Sequence, residues 1–181
     1  MCGSDLDVPL TQEGFEQAKK LASHFKDKKI NKIYCSDLDR SYSTAKILAD
    51  FLKVDLIASP LLRELKIGDW AGQDRILEKW RNYYLSEKKK GIPREEIRIP
   101  NGENSWDHQK RIKKFLENII KEEGEIIIVA HSGTNKVFIG TINNVDPDDF
   151  YTIKQDNTCV NELVFNGSWK VLSLNNISHL N

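Results

Sequence analysis

The sequence is poor in the features that would commit a chain to an oxidising compartment, a membrane or a polyanion. Its 181 residues hold three cysteines, Cys2, Cys35 and Cys159. The number is odd, and there is neither a Cys-x-x-Cys pair nor a Cys/His ligand spacing, which argues against a disulfide framework and a zinc site and fits a reducing compartment, the cytoplasm. No apolar run is long enough to span a bilayer, and Met1-Cys2-Gly3-Ser4-Asp5 lacks the basic and apolar regions of a signal peptide. A soluble protein with no membrane partner is expected. Charge of one sign is not in excess either: Lys plus Arg and Asp plus Glu number 27 each. No overall field would steer the chain to nucleic acid, so any anion site must be local. Internal repeats and low-complexity segments are also lacking.

What is present suffices for one core: 39% of the residues are hydrophobic and 30% charged, which predicts a single domain over 1–181. Thr11 is a good N-cap, and Phe15, Ala18, Leu21, Ala22 and Phe25 recur at helical spacing. Ile30 to Cys35 reads as a strand. Ser36-Asp37 can cap a second helix running to about Lys53, with Tyr42, Ala45, Leu48, Ala49 and Leu52 inward. Val54 to Ala58 resembles another buried strand, ended by Pro60. Leu61 to Gly72 is too polar and glycine-punctuated for regular structure throughout and reads as a functional loop. Helices over about Asp74–Lys90 and Glu103–Glu122, separated by Gly91, Pro93 and Pro100, make a helical cap region over about 74–122.

Glu125 to Ala130, with Ile126-Ile127-Ile128-Val129 uninterrupted, is apolar on both faces, as expected of an interior parallel strand covered by helices on each side. His131-Ser132-Gly133-Thr134 breaks it, and a helix follows from Asn135 to about Asn143. Thr158–Phe165 and Trp169–Leu174 flank Asn166-Gly167-Ser168 as a hairpin. The expected fold class is α/β: a three-layer sandwich with a mostly parallel sheet, helices on both faces and a C-terminal antiparallel hairpin.

In such sheets ligands sit beyond the carboxyl ends of the strands. Arg40 falls in the opening turn of a helix after the first strand, where unpaired N–H groups and the helix dipole favour an anion. His131 directly follows the all-apolar strand, a position hard to explain as packing. With Glu64 from the intervening loop, the set suits a phosphate: a guanidinium forked onto two oxygens, an imidazole on a third, and a carboxyl to protonate the leaving oxygen. Taken singly, Arg40 also fits a surface pair with Asp37 or Asp39, and Glu64 a pair with Arg63 or Lys66. His24, His108 and His179 read as structural or solvated, His108 on a charged helical face. Lys88-Lys89-Lys90 reads as an exposed helix end, and Cys2 as a free thiol.

Together these segments resemble the histidine phosphatase (phosphoglycerate mutase-like) superfamily over nearly the whole chain. Leu6 to Gly14 is similar to its approach to the first helix, and Tyr34 to Arg40 with Ser43-Thr44-Ala45 to its junction bearing a phosphate-binding Arg. Leu62 to Gly72 resembles its acid-bearing loop, Asn101-Gly102-Glu103 its next motif, and Val129-Ala130-His131-Ser132-Gly133 its second histidine motif. The resemblance implies phosphomonoester hydrolysis through a phosphohistidine, formed on a first histidine in an Arg-His-Gly motif that ends the first strand. It implies Glu64 and His131 as catalytic residues and Arg40, Ser132 and Gly133 as substrate-binding ones. It calls for no metal and no cofactor, and the partner it implies is a small phosphorylated metabolite.

The four histidines include no Arg-His-Gly. The resemblance therefore implies that the segment carrying it, with the first strand, is missing ahead of Met1, and that the chain as given has little or no activity. About five buried strand residues at roughly 1.5–3 kcal/mol each rival a domain stability of about 5–15 kcal/mol. An inactive domain binding a phosphorylated ligand or a protein is the alternative, and a phosphoglycerate mutase another. Substrate selectivity is expected from the cap, around Trp80, Tyr83 and Tyr84. The sequence leaves oligomeric state open, a homodimer included.

Overall fold

The computed structural model describes residues 3–181, so Cys2 lies outside the described residues. In chain order the elements are α1 (Gln12–His24), β1 (Ile30–Cys35), α2 (Asp39–Leu52), β2 (Asp55–Ala58), α3 (Ile76–Lys89), α4 (Ser105–Ile119), β3 (Glu125–Val129), α5 (Ser132–Ile142), β4 (Val160–Phe165) and β5 (Trp169–Asn176). β1 pairs in parallel with β2 on one side and β3 on the other; β4 and β5 form a separate antiparallel ladder. The loop before α3 contains only short 3-10 turns, Pro60–Leu62 and Gly68–Trp70.

Strand alternation divides the core into two layers. Ile33 and Cys35 of β1, with Ile127 and Val129 of β3, face Leu21 and Ala22 of α1 and Ala45, Leu48 and Ala49 of α2. Tyr34, Ile126 and Ile128 face the other way, onto Ile112 and Phe115 of α4 and Val137 and Phe138 of α5. This is the expected α/β sandwich with helices on both faces.

Several details differ from the sequence reading. β3 is not interior: it ends the three-strand order, and Ile126 to Ala130 are only half-buried, whereas Ile33 and Cys35 of the central β1 are fully buried. An all-apolar pattern records covered faces, not paired edges. β2 is likewise an edge strand, with Leu56 alone half-buried and its other residues exposed. Phe15 and Tyr42, expected inward, are exposed. α5 begins at Ser132 rather than Asn135, because His131 is itself the N-cap and its carbonyl accepts the Asn135 N–H at 2.8 Å.

The cap expected from Ser36-Asp37 is replaced by a distant one. Leu38 precedes α2 without a side-chain cap, and the Asp39 N–H donates to Asp7 Oδ1 at 2.8 Å. Asp37 is occupied instead by Arg63, through Nε at 2.7 Å and a terminal nitrogen at 2.6 Å.

Candidate active site

Residues 3–7 form a strap beside the start of α2. Ser4 N–H donates to the Leu65 carbonyl, and Asp5 Oδ2 accepts from Ile67 N–H at 2.7 Å and Gly68 N–H at 3.1 Å. Arg40 reaches over from the first turn of α2 and donates to the carbonyls of Gly3 at 2.8 Å and Leu6 at 3.2 Å. A guanidinium carries five N–H donors, so Arg40 holds the strap and retains donors for an anion.

Glu64 sits opposite. Its Oε2 accepts from the Gly133 N–H in the first turn of α5 at 2.9 Å, and its Oε1 from the Leu65 N–H at 2.9 Å. A Cβ at position 133 would run into the Glu64 carboxylate, so a larger residue there must displace it. The carboxylate thus rests at a helix N-terminus, a place suited to any anion.

The backbone bearing Glu64 is held by Arg111 of α4. Its guanidinium donates to the carbonyls of Leu61 (2.8 Å), Arg63 (2.7 Å) and Glu64 (3.3 Å), and it pairs with Glu103 at 2.9 Å. Glu103 in turn accepts the Lys66 N–H at 3.0 Å. Behind the loop, the Thr134 hydroxyl donates to the Arg63 carbonyl at 2.8 Å. That uses its one proton, so His108 Nε2–H donates to Thr134 Oγ1 at 3.2 Å, leaving Nδ1 to accept from the Tyr151 hydroxyl at 3.3 Å. His108 is fully buried rather than on a charged face, and burial holds its pKa well below the usual imidazole value.

His131 is buried, and among the described residues its Nε2 has no hydrogen-bond partner. Burial first, then the positive charges of Arg40 and Arg111, push its pKa down to about 3, against a small opposing influence of Asp37. The imidazole is neutral at physiological pH, in a positive local field. A dianion placed there would meet Arg40, the α5 N-terminus and an imidazole able to take up a proton.

Arg40 and His131 are therefore close enough to interact electrostatically, and Glu64 and Gly133 are in direct contact. Ser132 is exposed and turns its hydroxyl to the Gln155 carbonyl at 3.4 Å. Sequence reasoning missed Arg111, Asp5 and Asp7. Arg111 had a weak signal, lying eight positions after Glu103 on the same predicted helix; the two aspartates had none, because their partners are remote. In the cap, Trp80 and Tyr83 pack on Trp70 at 6.3 and 5.5 Å between ring centroids, joining a small core with Ile67 and Ile99. Lys88, Lys89 and Lys90 are exposed at the end of α3. A cavity of about 410 Å³ lined by Tyr83, Glu87, Ile97, Arg98 and Asn101 shares no residue with the Arg40, Glu64 and His131 group. Among the described residues no helix is long and apolar enough to cross a membrane.

The architecture and sequence both have relatives. The chain is 30% identical over 178 residues to "Putative phosphoserine phosphatase 2" of Hydrogenobacter thermophilus, an alignment spanning 96% of this chain and 86% of that one. It is 29% identical over 188 aligned positions to "Probable phosphoglycerate mutase GpmB" of an Enterobacter species, spanning 96% and 84%. The solved structure of Bacillus stearothermophilus YhfR superimposes with a TM-score of 0.84 at 23% identity, covering 100% of this chain and 91% of that one. The sequence profile of the histidine phosphatase superfamily (branch 1) matches residues 1–177. The chain belongs to the histidine phosphatase superfamily.

Proposed function

We propose that the site is that of a phosphomonoester hydrolase acting on a small phosphorylated metabolite in the cytoplasm, through a phosphohistidine. The observation that carries this reading is the buried, unpartnered His131 Nε2 in the positive field of Arg40 and Arg111, with Glu64 at the adjoining α5 N-terminus. In the proposed reaction a histidine nitrogen attacks phosphorus, the P–O bond to the alcohol breaks, and the departing oxygen takes a proton from Glu64. Water then attacks the phosphohistidine, the N–P bond breaks, and the Glu64 carboxylate accepts the water's proton. Arg40, the Ser132 amide at the start of α5 and His131 would share the negative charge of the transferring group, joined by the Gly133 amide once Glu64 leaves it for the departing oxygen.

The attacking histidine in this scheme belongs to an Arg-His-Gly motif, which none of the four histidines in the 181 residues provides. The reading therefore assigns these residues phosphate binding with little or no turnover. The names of the relatives support a small phosphorylated substrate without choosing between phosphatase and mutase. Calorimetric titration with inorganic phosphate and orthovanadate tests the site: binding should be lost in both Arg40→Ala and His131→Ala. Binding that survives both substitutions, or rapid hydrolysis of p-nitrophenyl phosphate by the 181-residue chain, would overturn the assignment.

A further inference from the structure

α5 has no cap of its own. His131 at its N-cap makes no side-chain cap hydrogen bond, so the amides that open the helix must find acceptors elsewhere. The buried Gly133 N–H finds one in Glu64, 69 positions earlier in the chain, whose Oε2 accepts it at 2.9 Å. The other carboxylate oxygen accepts from the Leu65 N–H at 2.9 Å. The carboxylate lies tight against the helix, filling the space that a Cβ at position 133 would need.

The backbone beneath this side chain is fixed. Arg111 donates to the carbonyls of Leu61, Arg63 and Glu64, and the Thr134 hydroxyl donates to that of Arg63. A change in the position of the carboxylate is therefore a rotation of the Glu64 side chain, not a movement of its loop. The place it occupies suits an anion from outside equally well. It is the N-terminal turn of an 11-residue helix, adjoining the buried His131 whose Nε2 has no partner among the described residues. A carboxylate and a phosphate cannot both sit on one buried amide, because the two negative charges repel at such short range.

We propose that Glu64 is a placeholder for phosphate: in the free chain its carboxylate occupies the Gly133 amide, and a bound phosphoryl group takes that amide only by turning the carboxylate out. This rests on the reading of the site as one for phosphate. The buried amide stays satisfied throughout, one anion replacing the other, so the charge-assisted bond that phosphate gains is offset by the bond of the same kind that Glu64 loses. Glu64 thereby has a second task besides proton transfer. The arriving phosphoryl group releases it toward the departing oxygen, and its return to Gly133 drives inorganic phosphate out. The affinity for free phosphate is held below what Arg40, the α5 amides and His131 provide unopposed.

Calorimetric titration with inorganic phosphate, at one pH and one ionic strength, compares the 181-residue chain with its Glu64→Gln and Glu64→Ala variants. Glu64→Ala removes the competitor and should bind phosphate about tenfold to a hundredfold more tightly than the parent. Glu64→Gln, whose neutral carbonyl still accepts from the amide, should fall between the two. A through-space charge effect alone gives both variants the same gain, since both remove the charge. In the parent chain, NMR of isotope-labelled glutamate side chains should show the Glu64 carboxyl carbon and the Gly133 amide shifting together along the phosphate titration, a measurement that requires no variant to fold. The proposal is overturned if all three proteins bind phosphate alike, if the two variants gain equally, or if the Gly133 amide shifts while the Glu64 carboxyl does not; each of these leaves the phosphate-site reading standing. Phosphate binding by none of the three overturns that reading and the placeholder together.

Discussion

Binding of a phosphate should pull a proton onto His131. In the free chain, burial and the charges of Arg40 and Arg111 hold its pKa at about 3. One negative charge within about 4 Å, in an effective dielectric of about 20, contributes about 4 kcal/mol, equivalent to about three pKa units. The pKa in the complex is then about 6 or higher, so between about pH 4 and 6 each phosphate bound brings up to one proton with it. Two-dimensional NMR of the His131 ring against pH, with and without saturating orthovanadate, reads both values; calorimetry in buffers of different ionisation enthalpy reads the proton count. The reasoning fails if His131 titrates near 6.5 without ligand, which would mean that burial and the arginines do not act on it. It fails also if its titration is the same with ligand bound.

Three further perturbations follow from the same contacts. Arg111→Met leaves Glu103 and three loop carbonyls without their donor and should cost about 3–5 kcal/mol in urea denaturation; Arg111→Lys should recover little, since one ammonium cannot span that set. Ala in place of Gly within a helix ordinarily stabilises by about 0.5–1 kcal/mol, but Gly133→Ala should destabilise by about 1–3 kcal/mol because its Cβ meets Glu64. In a Glu64→Ala background the sign should revert. For pH, the folded pKa of His131 lies below its unfolded value near 6.5, so the unfolded chain binds more protons in between. Stability is full above about pH 6.5 and is lost as the pH falls toward 3, by up to roughly 5 kcal/mol from this group. His131→Gln should flatten that slope between pH 6.5 and 4.5 if the assignment is correct.

What could be read from the sequence was whatever a local pattern determines. The α1 stripe, the run preceding His131 and the Asn-Gly-Ser turn each describe how a short segment meets its immediate surroundings, and each produced its element. Edges are another matter. β1, whose Asn31 and Lys32 break an apolar pattern, is the central strand, and β3, apolar throughout after Glu125, is at an end. Side-chain periodicity reports the two faces of a strand, but pairing is made by the backbone, which every residue supplies alike.

The same distinction explains the site. Arg40, Glu64 and His131 were visible because each follows a strand or sits in a conspicuous loop. Their supports were not, because hydrogen bonds to backbone carbonyls leave no residue-type signature at the receiving end: Arg111 binds the carbonyls of Leu61, Arg63 and Glu64, and Arg40 those of Gly3 and Leu6. Asp7 is a comparable case, capping α2 from 32 positions away where Ser36-Asp37 offered a closer cap. The closer pair is diverted because Asp37 binds Arg63 in a bidentate ion pair that engages both of its carboxylate oxygens. Once Asp37 is taken, the α2 N-terminus must be satisfied from elsewhere, and the strap that satisfies it is also the segment Arg40 holds. The geometry of the proposed anion site is therefore coupled to residues 3–7 through three hydrogen bonds of α2, one from the Asp39 N–H and two from the Arg40 guanidinium, which is why the strap belongs with the candidate site.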